Sequence, residues 1–491
     1  MDFKPLNTET LQSDTSKAIN YITSYYENID KYPVQSQVKP GYLRQLIPDS
    51  APSSPQSLEH ILEDVDEKIV PGLTHWQNPN FFAYYPANAS NAGLLGDILC
   101  SGFNVVGFTW ISSPAATELE AIVMDWMGKL LNLPQHFLFS GGGGGVMHES
   151  TCEAVVCTLA AARDRALNVH GEDKITKLMV YASDQTHFTF QKASKLVGIP
   201  PRNFRVLATS SHTEFALSPD ILRATMEADV SQGLVPLYVC ATVGATPSGA
   251  VDPIDSLAKT ATCFGAWLHV DAAFAGSACI CPEYRHYLNG VELADSISMN
   301  PHKWLLSNMG CSCLWLKNPK LLVDSLSSKP EILRNKATEF EDVIDYKDWQ
   351  IALSRRFRAL KLWIVLRRYG STNLISHIRS DIEMAKHFES LIQNDKLFEL
   401  VVPRKFSLVC FILRPVGRDN EDVTKINQKL LEAVNSSGEA HMTHAVIGGK
   451  FAIRCAIGGT LTEKCHIDNL WMLIRKKAVA ITYPGLSALK N

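Results

Sequence analysis

The chain has 491 residues, 46% hydrophobic and 20% charged, with a formal net charge of -3. That length exceeds one compact core and suggests two to four units sharing interfaces. The composition carries neither the polarity of a disordered chain nor the apolar excess of a membrane protein, and the near-neutral charge gives no electrostatic reason to expect nucleic acid or an anionic membrane as partner.

The opening segment, with Asp2, Lys4, Glu9, Asp14 and Lys17, has no apolar core resembling a signal peptide, and no later run is long enough to span a bilayer. The cytosol is the expected compartment, where the twelve cysteines stay as thiols. Cys279 with Cys281 and Cys311 with Cys313 form two C-x-C pairs without a histidine-containing partner motif, so no metal site is expected. The first hundred residues read as helices joined by Pro-rich connections, ending in an aromatic stretch at 75–86 too rich in Phe and Tyr for a solvent loop. Ser113 as N-cap and Pro114 at the first helical position then start a helix. Its apolar stripe, Leu119, Ile122, Val123, Trp126 and Leu130, is expected to face a core.

Five glycines at 141–145 lack the Gly-Lys-Ser/Thr ending of a P-loop and do not complete G-x-G-x-x-G, so they do not predict a nucleotide site. Short apolar runs at 178–182, 204–208, 235–241, 267–270, 297–299 and 311–316 alternate with amphipathic stretches, which predicts a mainly parallel sheet with helices on both faces. Residues 329–350, dense in charge, read as a surface loop. Beyond 362 come a long helical segment, strand-like runs at 398–402 and 408–413, a helix near 422–434, a strand near 451–457 and a terminal helix, together a smaller α+β domain. The expected division is a helical segment at 1–86, a large α/β domain at 87–362 and a small domain at 363–491.

Ligands of open α/β sheets collect at the carboxyl ends of the strands, where this chain offers Asp271, Thr246 and Lys303. An aspartate at a strand end is often only a turn residue, and a lone lysine is usually a surface charge, so their spacing has to decide. Asp271, a stretch of small residues, one further strand and then Asn-Pro-His-Lys-Trp at 300–304 is the order of a fold-type I pyridoxal-phosphate enzyme. With Phe-Phe-Ala-Tyr-Tyr-Pro at 81–86, Ser-Pro-Ala-Ala-Thr-Glu-Leu-Glu at 113–120, Ser-Asp-Gln-Thr-His at 183–187, His-Val-Asp-Ala-Ala at 269–273 and Asp-Tyr-Lys-Asp-Trp-Gln at 345–350, nearly the whole chain resembles the group II aromatic L-amino-acid decarboxylases, and most closely their plant tyrosine decarboxylase and aromatic aldehyde synthase branch.

The resemblance implies a seven-stranded, mainly parallel sheet, pyridoxal 5'-phosphate as cofactor, an aromatic L-amino acid as substrate and a homodimer whose N-terminal segment packs on the partner. Lys303 would hold the cofactor covalently, Asp271 would keep its pyridine nitrogen protonated and His187 would stack on its ring. Ser150, Thr151, Asn300 and His302 match positions near the phosphate, with Thr246 and Ala273 also in contact, and the preceding glycines would let the chain pass close. Residues 329–350 would form a catalytic lid. Tyr346 aligns with the residue that protonates the substrate carbon after carbon dioxide leaves, which implies simple decarboxylation to the arylalkylamine. Without such a donor, the product becomes an aryl acetaldehyde with ammonia and hydrogen peroxide.

The substrate side chain would meet Trp76, Tyr84, Tyr85 and Pro86, with Phe108 contributed across the dimer, and Ser354 marks a preference for tyrosine, DOPA or phenylalanine over tryptophan. This chain departs from relatives at His148, Glu149, Phe274, Gly310 and Ala87, which puts substrate fit in doubt, and Glu149 must turn away from the phosphate or weaken its binding.

Overall fold

The computed structural model describes residues 4–328, 337, 343–415, 417 and 419–483. The remainder of the expected lid, 329–336 and 338–342, lies outside the described residues. Seven strands form the larger sheet: β1 (Gly144–His148), β2 (Leu178–Ser183), β3 (Phe204–Leu207), β4 (Val235–Thr242), β5 (Trp267–Asp271), β6 (Ser296–Met299) and β7 (Ser312–Leu316). They lie in the order β1-β7-β6-β5-β4-β2-β3, with β7 antiparallel to both neighbours and the other pairs parallel. The sheet is therefore mainly parallel, as the alternation of apolar and amphipathic segments predicted.

Helices cover both faces, so alternate residues of one strand enter opposite cores. Met179, Tyr181, Val239, Leu268 and Val270 pack into one, and Leu178, Val180, Tyr238, Cys240 and Trp267 into the other. Burial on both sides explains why these strands read as continuous apolar runs. Five of the seven were visible that way, the edge strand β3 was found although Val206 is exposed, and β1 was not, because its glycines mask the pattern. A Cβ at Gly145 would come within 2.5 Å of Met124 Cε and 3.0 Å of Trp315 Cδ1, so that glycine exists for close packing of the strand.

The helix Pro114–Leu130 starts at the expected residue, but its apolar stripe requires correction. Its buried face is Ala116, Thr117, Glu120, Val123, Met124 and Met127, whereas Ile122 and Trp126 are 47% and 40% exposed. Val123 is buried and Leu119 and Leu130 pack against the same core, so the expected stripe holds at those three positions and fails at Ile122 and Trp126.

The smaller sheet is antiparallel throughout, in the order β10 (Thr443–Ile447), β11 (Lys450–Ala456), β9 (Leu408–Leu413) and β8 (Phe398–Leu400). β10 escaped the sequence reading because its burial alternates along a short edge strand. Its signal was the Gly448-Gly449 pair, whose φ angles of +56° and +78° make the two-residue hairpin turn into β11. The helix Arg358–Gln393, broken at Gly370 (φ +67°), spans two cores: residues through Ile382 join the larger, and Met384, Ala385, Phe388 and Ile392 join the core of the small sheet. Among the described residues no helix is long and apolar enough to cross a membrane.

Candidate active site

A cavity of about 220 Å³ opens at the carboxyl ends of β4 and β5. Every residue expected to touch a cofactor lines it: Ser150, Thr151, His187, Thr246, Asp271, Ala273, Asn300, His302 and Lys303. Asp271 ends β5, and its Oδ1 accepts the backbone N–H of Ala273 at 3.0 Å. Lys303 sits in the short helix Pro301–Trp304, where burial pushes its amine below the ordinary lysine range while Asp271 pulls the other way. A neutral amine is the nucleophilic form. Burial and then the Lys303 charge lower His187, against Asp271. Its Nδ1 accepts the backbone N–H of Thr189 at 3.2 Å, leaving the proton on Nε2. His302 is held neutral in the same way, pushed down to about 4 by burial first and Lys303 second, with Nδ1 accepting from the Cys311 N–H at 3.1 Å.

The wall opposite is the start of the 20-residue helix Thr151–His170, whose first backbone N–H groups and dipole make a seat for an anion. Asn300 Oδ1 accepts from Thr151 Oγ1 (3.0 Å) and Ser312 Oγ (2.7 Å), tying that helix start to the lysine loop. The glycine run plays no part in this seat. Gly144 and Gly145 pack against Phe139, Trp349, Met124 and Trp315, and the chain reaches the cavity only from Ser150 onward. Thr242, Gly244 and Phe274 also line the cavity and were missed as site residues. Gly244 (φ +86°) had a legible cause afterwards, since a Cβ there would strike Ala275 at 2.5 Å.

A second cavity of about 890 Å³ adjoins the first, sharing Tyr85, His187, Thr246, His302 and Lys303. Trp76, Tyr84, Tyr85 and Pro86 line it as expected, with the Trp76 and Tyr84 rings stacked at 5.4 Å. Tyr85 is the floor of both cavities, and its ring lies 3.7 Å from that of Phe274, which stacks in turn on Trp304 at 4.6 Å. Phe274, a departure from relatives, thus completes a three-ring column under the lysine loop. The small domain contributes His441, Thr443, His444 and Arg454, none foreseen. The signal was one arginine inside the apolar run Phe-Ala-Ile-Arg-Cys-Ala-Ile at 451–457.

Three expected residues stand apart. Phe108 and Ser354 line neither cavity within one chain. Tyr346 lies in the core, 0% exposed, with its hydroxyl donating to Gly145 O at 3.2 Å and Arg355 4.5 Å over its ring. Burial and the nearby Glu120 carboxylate push its phenol well above the ordinary range, opposed by Arg355. The segment around it is not a charged loop, since Tyr346 and Trp349 are buried anchors of the turn Tyr346–Trp349. A proton donor in this position faces β1, not the cavity.

A family model described as the pyridoxal-dependent decarboxylase conserved domain matches residues 40–414. The chain belongs to that family. It is similar to a phenylacetaldehyde synthase of a Rosa hybrid cultivar, 58% identical with 97% of this chain and 96% of that protein covered. A tyrosine decarboxylase of Papaver somniferum is 55% identical over the same shares. The crystal structure of Oryza sativa TDC with PLP and tryptamine superposes with a TM-score of 0.96 at 47% identity, covering 98% of this chain and 99% of that one.

Members of this family are pyridoxal-phosphate-dependent carboxy-lyases, and the first cavity fits that cofactor. It joins a nucleophilic lysine, a carboxylate and a helix start, and the buried Thr242 Oγ1 facing it has no hydrogen-bond partner among the described residues. The departures also find places. Glu149 turns outward and pairs with Arg358 at 2.8 Å, so it does not oppose a phosphate. Gly310 lies against it: a Cβ there would meet Glu149 Oε1 at 2.6 Å, so the two departures accommodate each other. His148 is buried 3.5 Å from Glu153. Ala87 lines the second cavity.

Proposed function

We propose that the two cavities form one active site that removes the α-carboxyl group of an aromatic L-amino acid as carbon dioxide. The observation that carries this is the convergence of Lys303, Asp271, His187 and the Ser150–Thr151 helix start on a single cavity opening onto aromatic walls. Lys303 would hold pyridoxal phosphate through its amine and yield it to the substrate amine. Asp271 would hold the proton on the pyridine nitrogen, and His187 would lie on the ring. Ser150, Thr151, Asn300 and His302 would surround the phosphate, with Thr246 and Ala273 closing the sides. The bound cofactor supplies the electron sink that allows the bond to the carboxyl carbon to break.

Family members named for amines and for aldehydes stand at similar identity to this chain, so overall likeness does not choose the product. The amine expectation rested on Tyr346, whose side chain is buried in the core, and on His187, which lines both cavities. The rest of the lid, Lys-Pro-Glu-Ile-Leu-Arg-Asn-Lys-Ala-Thr-Glu-Phe-Glu-Asp at 329–342, contains no tyrosine or histidine. The second reading, an aryl acetaldehyde with carbon dioxide, ammonia and hydrogen peroxide, taking up dioxygen and water, is for that reason kept beside the amine. Incubating holoenzyme with tyrosine, phenylalanine, DOPA and tryptophan and assaying amine, aldehyde and peroxide tests it. Amine without peroxide is expected, from tyrosine, DOPA or phenylalanine ahead of tryptophan, and aldehyde with equimolar peroxide would overturn it in favour of the oxidative reading.

A homodimer in the cytosol completes the proposal. Leu95, Leu99, Phe103, Ile111, Ile122 and Trp126 are exposed apolar side chains that a partner would cover, and Phe108, in the same stretch of chain, would enter the partner's site. The twelve unbridged cysteines accord with a reducing compartment.

A further inference from the structure

The aromatic wall of the larger cavity carries a polar side chain that the rest of the chain leaves unengaged. His441 lines that cavity and is 6% exposed. Its Nδ1 is fully buried without a hydrogen-bond partner, and among the described residues Nε2, which keeps some exposure, has none either. Burial holds the imidazole below the ordinary histidine range, so it is neutral with a single N–H. The proton belongs on Nε2, the nitrogen that the cavity can reach, because an N–H sealed at Nδ1 would have neither water nor protein to receive it. Asn435 and Thr443, beside it, are committed elsewhere: Asn435 exchanges two hydrogen bonds with the Met442 backbone at 3.0 and 2.9 Å, and Thr443 Oγ1 accepts from the Tyr84 N–H and from Arg454 Nη1.

The imidazole is also held in place. The His441 N–H donates to Asn80 O at 3.2 Å and its carbonyl accepts from the Phe82 N–H at 2.8 Å, which straps the small domain to the aromatic stretch. Phe81 and Tyr84 meet the imidazole edge-on, with centroids 5.6 and 6.1 Å away. Tyr84 takes φ +55°, and this left-handed turn lets two consecutive rings, Tyr84 and Tyr85, line one cavity where extended backbone would send them to opposite sides. Lys303 Nζ lies 5.7 Å from the centroid of Tyr85, so the cavity runs from the lysine along Tyr85 and Tyr84 to the imidazole.

We propose that His441 gives the site a preference for hydroxylated rings, its Nε2–H donating to the phenolic oxygen of a tyrosine-like substrate. This rests on the active-site reading above and names the substrate class within it. An amino acid held by its amine at Lys303 lays its side chain along Tyr85 toward the Trp76 and Tyr84 rings, and a hydroxyl at the far end of its own ring meets the donor. An unsubstituted phenyl ring leaves that donor dry and unpaired. An indole, whose N–H is itself a donor, offers it no acceptor.

The test uses 3-(4-hydroxyphenyl)propanoate and 3-phenylpropanoate, which differ only in the hydroxyl and, lacking an amine, cannot exchange with Lys303. Their binding to the wild-type holoenzyme is measured by titration calorimetry, then repeated with His441→Leu and His441→Gln. The cofactor absorption band of each variant reports whether the Lys303 site is intact, separately from this proposal. The hydroxylated acid is expected to bind about tenfold more tightly to wild type, the effect of one hydrogen bond whose absence leaves a dry donor. That preference should vanish in His441→Leu, with 3-phenylpropanoate bound at least as tightly as before, and His441→Gln, which restores an N–H donor, should keep part of it. A wild-type preference below about threefold, which requires no variant to fold, or a preference that survives His441→Leu, overturns the assignment.

Discussion

Replacing Tyr346 with phenylalanine separates two views of the lid. The structure gives the hydroxyl one partner, Gly145 O at 3.2 Å, inside a wall made by Trp349 and by Arg355, which also bonds Glu120 at 2.7 Å and Gln350 at 2.8 Å. Losing that neutral hydrogen bond and leaving the carbonyl short of a partner costs about 1–2 kcal/mol. For a chain of 491 residues this corresponds to a fall of about 1–2 °C in the unfolding temperature. The ring's packing and its contact with Arg355 persist. Scanning calorimetry of holoenzyme, paired with assay of amine, aldehyde and peroxide from tyrosine, should show that small loss of stability with the product ratio unchanged. A severalfold shift from amine to aldehyde would refute the reasoning, because a phenol confined to the core cannot set the product.

Other perturbations bear on separate parts of the account. Arg355 and Glu120 form an ion pair with both side chains 3% exposed, so Arg355→Leu should cost about 3–5 kcal/mol in denaturant unfolding. Adding Glu120→Leu should recover much of that loss, and a single variant as stable as wild type would contradict the pairing. Gly310→Asp should destabilise by driving a side chain at φ +80° against Glu149, and Glu149→Ala should relieve part of the effect; equal losses in both backgrounds would show the two sites to be independent.

His269 and His302 are both pushed down to about 4 by burial, so the unfolded chain binds their protons first as pH falls below about 6.5. Asp252, raised to about 6 by burial, works in the opposite sense between about 4 and 6. The net effect of these three groups is a loss of stability on acidification of up to about 1.4 kcal/mol per pH unit between pH 6 and 4. The Asp252→Asn variant, which removes the opposing group, should show a steeper loss in urea unfolding, and a shallower one would contradict the assignment.

The legible parts of the molecule were those in which local chemistry and fold agree. Strands buried on both faces must be apolar throughout, so five of the seven large-sheet strands stood out for that reason, with the partly exposed edge strand β3 found beside them, and the order of Asp271, the intervening strand and Lys303 carried the site. β1 was hidden because its glycines answer to Met124 and Trp315, side chains distant in sequence. The burial of Tyr346 and Trp349 was not legible because a dense run of charges surrounds them. Ile122 and Trp126 followed the right period on the wrong face, since periodicity does not tell an inward stripe from one left for a partner. Arg454 could have been noticed as the one charge in the buried part of β11, but only the folded chain shows that two of its nitrogens lack partners.

The central claim is that Lys303 and its cavity decarboxylate an aromatic amino acid with pyridoxal phosphate. Release of labelled carbon dioxide from carboxyl-labelled tyrosine and phenylalanine, with and without added cofactor and with Lys303→Ala alongside, tests it most directly. Cofactor-dependent release by the wild type and none by the variant is the expected result. No release from either substrate by cofactor-loaded wild type, or undiminished release by Lys303→Ala, would contradict the account.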